Sequence, residues 1–389
     1  MRHVRGMRWR SNLNPFKSKG PVRSTVTTTK REPTVTYELW ISRASPYSSK
    51  AHAQAGYAGI EFHVQIPNAV TRWSVIRRLT GKTMVPVLRR GKWAINDSTR
   101  IAQYLVERSK RPMLPQRPAD LLAWLFEDFA DEWVVRCAMH SRWRHLEDTQ
   151  AIEAVIGEEL TGVLPVGKRL LGGEAARRIQ AQLQPWGITP ANDEAMEESM
   201  FRLLEALEAL LGDHGPYLFG GYPTVADFAL YGALIQYRGD PTGRQRLRGH
   251  LALHDYLDRI DAMTSRPATI EVEDCAPVDI DALGPLFGEM MGTYWTLLVA
   301  NQRSLDAGSD DVACRFVDGH RFQAAASRYL SRRMEALLQR VNETYAQKDN
   351  LFGSKGLRME RALIDGVAEL CDTEGGRQLL RRFEYLGMH

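Results

Sequence analysis

Cysteine is scarce in this sequence: the chain has four cysteines among 389 residues, and none of them forms a CxxC pair. Cys137, Cys275, Cys314 and Cys371 lie far apart along the chain. Zinc sites need clustered ligands and disulfide frameworks need many cysteines, so we expect neither, and no metal site is predicted. The scarcity is typical of a protein kept in a reducing compartment such as the cytoplasm.

Long apolar runs are also missing, because no stretch approaches the roughly 18 apolar residues that indicate a membrane-spanning helix. Hydrophobic residues make up 44% of the chain and charged residues 25%, which is ordinary for a globular protein. The length is sufficient for two or three domains and a substantial core.

Acidic residues are almost absent from residues 1–34, where nine Lys or Arg accompany only Glu32. This segment therefore has a net charge of +8. Since the net charge of the whole chain is +4, residues 35–389 have a net charge of −4. The positive net charge of the whole chain therefore gives no reason to expect nucleic-acid binding by the folded part. We expect residues 1–34 to be a disordered basic tail. A tail lengthened by an early start codon (Met7 offers another), an organelle presequence and a contact for anionic surfaces remain open.

Residues 35–108 show the most regular pattern, in the order strand, helix, strand, helix, hairpin, helix. Ser45 suits a helix N-cap, Pro46 suits the first helical position, and Gly59 suits the end of that helix. This order predicts a thioredoxin-like α/β domain. The predicted elements are strands at Tyr37–Ser42, Ile60–Gln65, Thr83–Leu88 and Trp93–Ile95, and helices at Tyr47 to about Tyr57, Val70–Leu79 and Thr99–Val106.

Four motifs carry a resemblance to a known family. Ser45-Pro46-Tyr47-Ser48 is similar to the Cys-Pro-Tyr-Cys of glutaredoxins with both sulfurs replaced by oxygen. Together with Val85-Pro86-Val87-Leu88 and Asp97-Ser98, it resembles the N-terminal domain of glutathione S-transferases. The later Gly220-Gly-Tyr-Pro-Thr-Val-Ala-Asp-Phe228 is similar to the capping motif of their second domain. The resemblance covers roughly residues 36–265 and implies a serine-type member of that family.

A Pro-rich linker is predicted at residues 109–117, followed by an all-helical domain over residues 118–265. Thr224 and Asp227 form a capping box that we interpret as a stability element. Residues 266–389 exceed the usual size of the family and are expected to be a helical extension that packs on the body or on a partner subunit. The predicted elements are helices at Ala151–Leu160, Glu174–Gln184, Met196–Leu211, His254–Met263, Phe287–Leu305 and Phe322–Lys348, and a small hairpin or turn at Arg315–Phe322.

Four carboxylates, Glu127, Asp128, Asp131 and Glu132, follow one another within this helical region. Paired carboxylates can act as metal ligands or as general acid and base. They are more often a solvated helix face or partners for basic residues, here Arg136, Arg142 and Arg144. We favour this second interpretation.

Ser45 is the predicted catalytic residue, because the resemblance places a thiolate-stabilising hydroxyl there. Lowering a thiol pKa by about 2 units takes about 2.7 kcal/mol. A hydrogen bond to a charged group supplies about 1.5–3 kcal/mol and a helix N-terminus about 0.3–1 kcal/mol, so Ser45 at a helix start suffices. Tyr47 is the alternative, although packing is its more ordinary role.

The rest of the site also follows from the resemblance. A cis bond before Pro86 would let Val85 pair with the cysteinyl peptide of glutathione. Ser98 would hold the γ-glutamyl carboxylate and Asp97 the ammonium, with Lys50 and Lys82 as candidates for the glycyl carboxylate. The residues expected at the electrophile are Tyr47, Phe126 and Trp133, with Trp143 as a further candidate, although aromatic residues at helical spacing are more often core.

The first functional hypothesis is a glutathione transferase that joins glutathione, as co-substrate, to a small hydrophobic electrophile in detoxification. The alternatives are a glutathione-dependent thiol reductase or ligand-releasing enzyme, and a non-catalytic binding or assembly protein with the same fold. A homodimer is expected by resemblance, without nucleic-acid partners and without a membrane span.

Overall fold

The computed structural model describes residues 36–117, 119–162, 167–265 and 280–346, together with residue 363. The predicted basic tail, residues 266–279 of the predicted connection, and Cys275 and Cys371 lie outside the described residues. Among the helices that are described, none is long and apolar enough to cross a membrane.

Four strands near the start of the described chain form a mixed sheet: β1 (Tyr37–Trp40), β2 (Phe62–Gln65), β3 (Val87–Arg90) and β4 (Trp93–Asn96). Their spatial order is β2-β1-β3-β4. β1 runs parallel to β2 and antiparallel to β3, which pairs antiparallel with β4. The thioredoxin-like fold of this region is confirmed. β3 begins later than the predicted Thr83, since Pro86 has no N–H to contribute to the ladder.

Three helical segments accompany the sheet: α1 (Pro46–Ala58), a continuous stretch made of α2 (Ala69–Thr71), a π-helical turn (Arg72–Ile76) and α3 (Arg77–Thr80), and α4 (Ser98–Arg108). As predicted, Ser45 caps α1 and accepts the Ser48 N–H, and Gly59 ends the helix with a φ of 70°. Local capping chemistry therefore fixes the helix that follows the first strand.

A helical domain follows: α5 (Asp120–Phe129), a π-helical turn (Ala130–Val134), α6 (Val135–Arg144), α7 (Leu146–Thr161), α8 (Lys168–Leu183), 3₁₀ turns at Gln184–Trp186 and Pro190–Asn192, α9 (Asp193–Asp213), α10 (Val225–Gly239), α11 (Pro241–Arg246), a 3₁₀ turn at Leu247–Gly249, and α12 (Leu251–Ser265). The predicted helices are all present, and most are longer than predicted because their polar ends carry no apolar periodicity.

The helix α10 lies at the centre of this domain and is buried on nearly every side. It packs against α1, α5 and α6. Gly232 allows the close approach to α1, because a Cβ there would lie 2.6 Å from the Pro46 carbonyl oxygen. The predicted capping box is confirmed, since the Asp227 carboxylate accepts the backbone N–H of Thr224 at 2.7 Å and that of Leu218 at 2.9 Å.

The described part of the extension contains a 3₁₀ turn (Ile280–Leu283), α13 (Gly284–Met290), a π-helical turn (Met291–Trp295), α14 (Thr296–Asp306), β5 (Asp311–Arg315), β6 (Arg321–Ala325) and α15 (Arg328–Ala346). α13 packs on α9 and α5, and α15 packs on α5 and α14. The extension therefore packs on the body, one of the two alternatives predicted.

A helix beginning at Phe322 was the wrong expectation, because residues 321–325 form β6. β5 and β6 pair as an antiparallel hairpin in which Cys314 lies opposite Phe322. The Phe322 ring packs edge-on against Trp133, with ring centroids 5.3 Å apart. This distant contact, together with the hairpin pairing, outweighs the local helical pattern.

Candidate glutathione site

One cavity, of about 340 Å³, lies where the sheet domain, the helical domain and the extension meet. The segment 82–99 and Tyr47 form one side, and the turn after α5, Trp186 and α15 form the other. Its lining residues are Tyr47, Lys82, Met84, Val85, Pro86, Asn96, Asp97, Ser98, Thr99, Asp131, Glu132, Trp186, Tyr329 and Arg333.

The residues just before β3 and the start of α4 meet in this cavity. The Val85–Pro86 peptide bond is cis, as predicted. Asp97 caps α4 by accepting the Arg100 N–H at 3.1 Å, and its φ of 90° is rare outside glycine. Such backbone outliers cluster at functional sites. The structure thus brings Val85, Pro86, Asp97 and Ser98 together around one space, with Lys82 at its exposed rim.

Ser45 is half-buried and is not among the described residues that line the cavity. Its Oγ accepts the Ser48 N–H at 3.3 Å. Ser48 is itself buried, and its Oγ accepts the Ser42 N–H. Tyr47 does line the cavity and donates its hydroxyl hydrogen to the Asp131 carbonyl at 3.2 Å. The thiolate role of Ser45 therefore stays a prediction.

Lys50 is placed wrongly by the sequence prediction. Its side chain is fully buried, and its ammonium donates to Glu127 Oε1 at 2.5 Å and to Asp131 Oδ2 at 2.7 Å. An ammonium held by two carboxylates inside the interface between α1 and α5 has no access to a glycyl carboxylate. Of the two lysine candidates, only Lys82 lies in the cavity lining.

Phe126 and Trp133 also belong to the core and not to the cavity lining. Phe126 is buried against Phe219, and Trp133 donates its indole N–H to the Ser199 hydroxyl at 2.8 Å. Both lie on buried faces of their helices, so the prediction that they contact an electrophile is wrong. Trp143 lines a different cavity, between α6 and α8.

The four carboxylates are all buried, so a solvated helix face is the wrong interpretation. Nor do Arg136, Arg142 and Arg144 form side-chain ion pairs with them among the described residues. Glu127 and Asp131 pair with Lys50, and they accept hydrogen bonds from the hydroxyls of Thr99 and Ser98 respectively. Asp128 and Glu132 pair instead with groups of the extension: Tyr294 and Arg333 for Asp128, and Tyr329 and Arg333 for Glu132.

Burial and crowding determine the charge states in this row. Burial alone would lower the pKa of Lys50, but Asp131 and Glu127 reverse the effect and leave it raised. The single Lys50 ammonium can neutralise only one of its two carboxylate partners. Burial opposes ionisation of Glu127, yet Lys50 holds the pKa of Glu127 below the usual range. Burial raises the pKa of Asp131 to about 6, against the pull of Lys50. Burial likewise raises the pKa of Glu132 to about 7.

Tyr329 and Arg333 are the functional candidates that sequence reasoning missed. They are four residues apart on α15 and therefore share one face. The Tyr329 hydroxyl donates to Glu132 at 2.5 Å. The sequence signal for this pair was a tyrosine and a basic residue one helical turn apart, on the face of α15 that also carries its apolar residues.

Comparisons with known proteins identify two domains in this chain. Residues 39–113 match the family model for the glutathione S-transferase N-terminal domain, and residues 178–259 match the model for its C-terminal domain. No match was found among curated protein sequences.

Similar solved structures include the β-etherase LigF from Sphingobium sp. strain SYK-6, with 19% identity over 58% of this chain and 95% of that one and a TM-score of 0.43. The glutathione S-transferase CsGST63524 of Ceriporiopsis subvermispora, in complex with glutathione, has 15% identity over 61% of this chain and 99% of that one, with a TM-score of 0.42. Because both family models match, in the family's order, on either side of the cavity, the chain contains the N- and C-terminal domains of the glutathione S-transferase family.

Proposed function

We propose that this protein is a glutathione transferase that joins the sulfur of glutathione to a carbon electrophile. One observation carries the proposal: a single cavity collects Val85, Pro86, Asp97 and Ser98, which the sequence predicted separately as glutathione contacts. The match to the family's N-terminal domain supports glutathione as the co-substrate. Among the described residues, no group of three or more His, Cys, Asp or Glu side chains could hold a metal ion.

We assign a partner in this arrangement to each polar group of glutathione. The backbone of Val85 is suited to the cysteinyl peptide as an added strand edge. The first turn of α4 offers backbone N–H groups to the γ-glutamyl carboxylate, and the Ser98 hydroxyl would turn to it from Asp131, its acceptor in the free protein. Asp97 is suited to the ammonium, and the exposed Lys82 ammonium to the glycyl carboxylate.

Ser45 does not itself line the cavity, but it lies two residues before Tyr47, which does; we propose that it stabilises the thiolate from the N-terminus of α1. Its Oγ already accepts the Ser48 N–H, which leaves its own hydrogen available as a donor. A hydrogen bond to the thiolate and the positive end of α1 together supply about 2–4 kcal/mol. This is enough to bring a thiol pKa from about 8.5 to near 6.5.

The electrophile would lie on the other side of the sulfur, against the apolar surfaces of Tyr47, Met84 and Trp186. A homodimer and a detoxifying role in the cytoplasm belong to the same proposal. Val70 and Trp73, which are 73% and 64% exposed on the α2–α3 segment, are candidates for the subunit contact.

The test is calorimetric titration with glutathione, on the wild type and on Ser98→Ala. We expect about 10- to 100-fold weaker binding for the variant, because it loses a hydrogen bond to a charged group. Ser74→Ala removes an exposed hydroxyl that donates to its own helix, and this control should bind like the wild type.

Turnover separates the transferase from the alternatives. Conjugation of a chlorinated dinitrobenzene, lost or slowed in Ser45→Ala together with a higher pKa of the bound thiol by ultraviolet absorbance, supports the proposal. Reduction of a mixed disulfide without conjugation would favour the thiol reductase. Binding without either reaction would favour a non-catalytic role, and absence of binding would refute the glutathione site itself.

A further inference from the structure

Glu132 is the carboxylate with an environment suited to proton transfer inside the cavity. It lies on the π-helical turn Ala130–Val134, is 7% exposed, and is one of the residues that line the cavity. Its Oε1 accepts the Tyr329 hydroxyl hydrogen at 2.5 Å, and the Arg333 Nε lies 3.7 Å away. Single π-helical turns inside α-helices occur frequently at functional sites.

The other carboxylates of the row have different surroundings. Glu127 and Asp128 do not line the cavity among the described residues. Asp131 does line it, but its Oδ2 accepts both the Lys50 ammonium and the Ser98 hydroxyl. Of these four carboxylates, Glu132 differs in three respects taken together: it lines the cavity, its hydrogen-bond partner is a neutral hydroxyl, and its cation lies farther away.

The charged and titratable groups that face Glu132 come from every element around it. Tyr329 and Arg333 approach from α15, Arg136 from the next helical turn, Tyr47 from α1 and Tyr294 from α13–α14; Asp131 and Glu127 lie on its own helix. Burial raises the pKa of Glu132 to about 7, the hydrogen bond from Tyr329 and the charge of Arg136 oppose the rise, and the two acids add to it. The side chain can therefore hold and release a proton near neutral pH, where a general acid is most effective.

We propose that Glu132 is a general acid that protonates an oxygen leaving group, so that the electrophiles suited to this site are epoxides and activated ethers. The inference rests on the proposed glutathione transfer. The thiolate sulfur forms a bond to the electrophilic carbon while the carbon–oxygen bond breaks, and its electron pair stays on oxygen. The carboxyl proton of Glu132 moves to that oxygen. The proton lost from the glutathione thiol to solvent balances the one that returns to Glu132.

The contacts assign distinct roles to the two partners from the extension. Tyr329 is a positioning residue, because its hydroxyl fixes the carboxyl group and favours its ionised form. Arg333 is tied to Asp128, so its charge is partly compensated before it acts on Glu132. Apolar surface from Met84 and Trp186 favours an ether or epoxide with an aromatic substituent.

The experiment compares two electrophiles on the same protein: an aryl glycidyl ether, in which an oxygen leaves, and a chlorinated dinitrobenzene, in which a halide leaves without needing a proton. The quantity measured is the ratio of their kcat/KM values. We expect Glu132→Gln to lower this ratio about 100-fold, the ordinary contribution of a general acid. Glu107→Gln, an exposed change on α4, serves as the matched control.

The pH dependence distinguishes proton transfer from a structural role. In the wild type the ratio should fall as pH rises through about 7, because the carboxyl then loses its proton. In Glu132→Gln the ratio should not change with pH. In Tyr329→Phe the fall should move to higher pH, since the lost hydrogen bond had favoured the ionised form.

The possible failures are separable. If the wild type binds no glutathione and converts neither electrophile, the proposed function fails and this inference fails with it. If the halide is converted but the epoxide is not, or if Glu132→Gln leaves the ratio within about threefold of the wild type, the transferase stands and the role of Glu132 is refuted.

Discussion

Replacing Lys50 by methionine tests how the sheet domain is joined to the helical domain. The change keeps an unbranched side chain of similar length but removes the ammonium from between Glu127 and Asp131. Lys50 is 0% exposed, so water cannot take its place as a partner for the two carboxylates. We expect a large loss of stability from this single substitution.

The size of the loss follows from the charges that remain. Removing one partner of a buried ion pair costs about 3–5 kcal/mol. Titration adds to this loss in the same direction: burial opposes ionisation of Glu127 and Asp131, and Lys50 is the charge that counteracts it, so both carboxyl pKa values should rise when Lys50 is removed.

The pH dependence has a defined sign. Without Lys50, both carboxyls have folded pKa values above those of the unfolded chain, which lie near 4. Their penalty is absent below that value and grows as pH rises through the folded pKa values, which for Asp131 is about 6 even with Lys50 in place. The variant should therefore lose much more stability at about pH 8 than at about pH 5.

The assay is urea unfolding followed by tryptophan fluorescence at both pH values. Lys82→Met, at the exposed cavity rim, makes the same chemical change and should alter stability by no more than about 0.5 kcal/mol. Adding Glu127→Gln and Asp131→Asn to Lys50→Met should recover most of the loss, because no unpaired charge remains. An equal loss at both pH values, or no recovery, would refute the ion-pair argument.

Two further substitutions test the helical core. Asp227→Ala should destabilise the protein by about 3 kcal/mol in the same unfolding assay, since two buried N–H groups lose their acceptor; a loss below about 1 kcal/mol would mean that the capping box is dispensable. Gly232→Ala should cost about 2 kcal/mol or more, because the new Cβ would lie 2.6 Å from a carbonyl oxygen of α1. Gly173→Ala is its control: no atom lies within 4 Å of the added Cβ, so this helical position should gain about 0.5–1 kcal/mol. The opposite order of the two glycine variants would contradict the close packing of α10 on α1.

Local chemistry made part of this structure predictable. Ser45 and Pro46 start α1, and Gly59 ends it, through contacts within a few residues. Asp97 caps α4 in the same way, and the bond before Pro86, immediately ahead of β3, is cis as the fold resemblance implied. The sequence therefore predicted the order of the strands, the helix caps and the segments around Val85 and Ser98 that meet in the cavity.

Long-range contacts made the rest unpredictable. Lys50 meets carboxylates 77 and 81 residues away, so no local pattern could separate it from a solvated lysine. Trp133 was expected at the cavity, but Phe316 and Phe322 from the hairpin region of the extension cover its ring. Tyr329 reaches its partner across 197 residues. In each case the partner, and not the residue type, decided the role.

The row of four carboxylates (Glu127, Asp128, Asp131 and Glu132) connects one helix to the sheet domain, to the extension and to the cavity. Glu127 and Asp131 are four residues apart and face Lys50, while Asp128 and Glu132, also four apart, face Arg333. The π-helical turn that begins at Ala130 has more residues per turn than an α-helix, which reduces the angle between consecutive side chains. Asp131 and Glu132 can therefore both line the cavity, although one belongs to the face toward the sheet domain and the other to the face toward the extension. The contacts of Tyr329 and Arg333 with Glu132 therefore join the extension to the helical domain at the same place where the two residues complete the cavity wall.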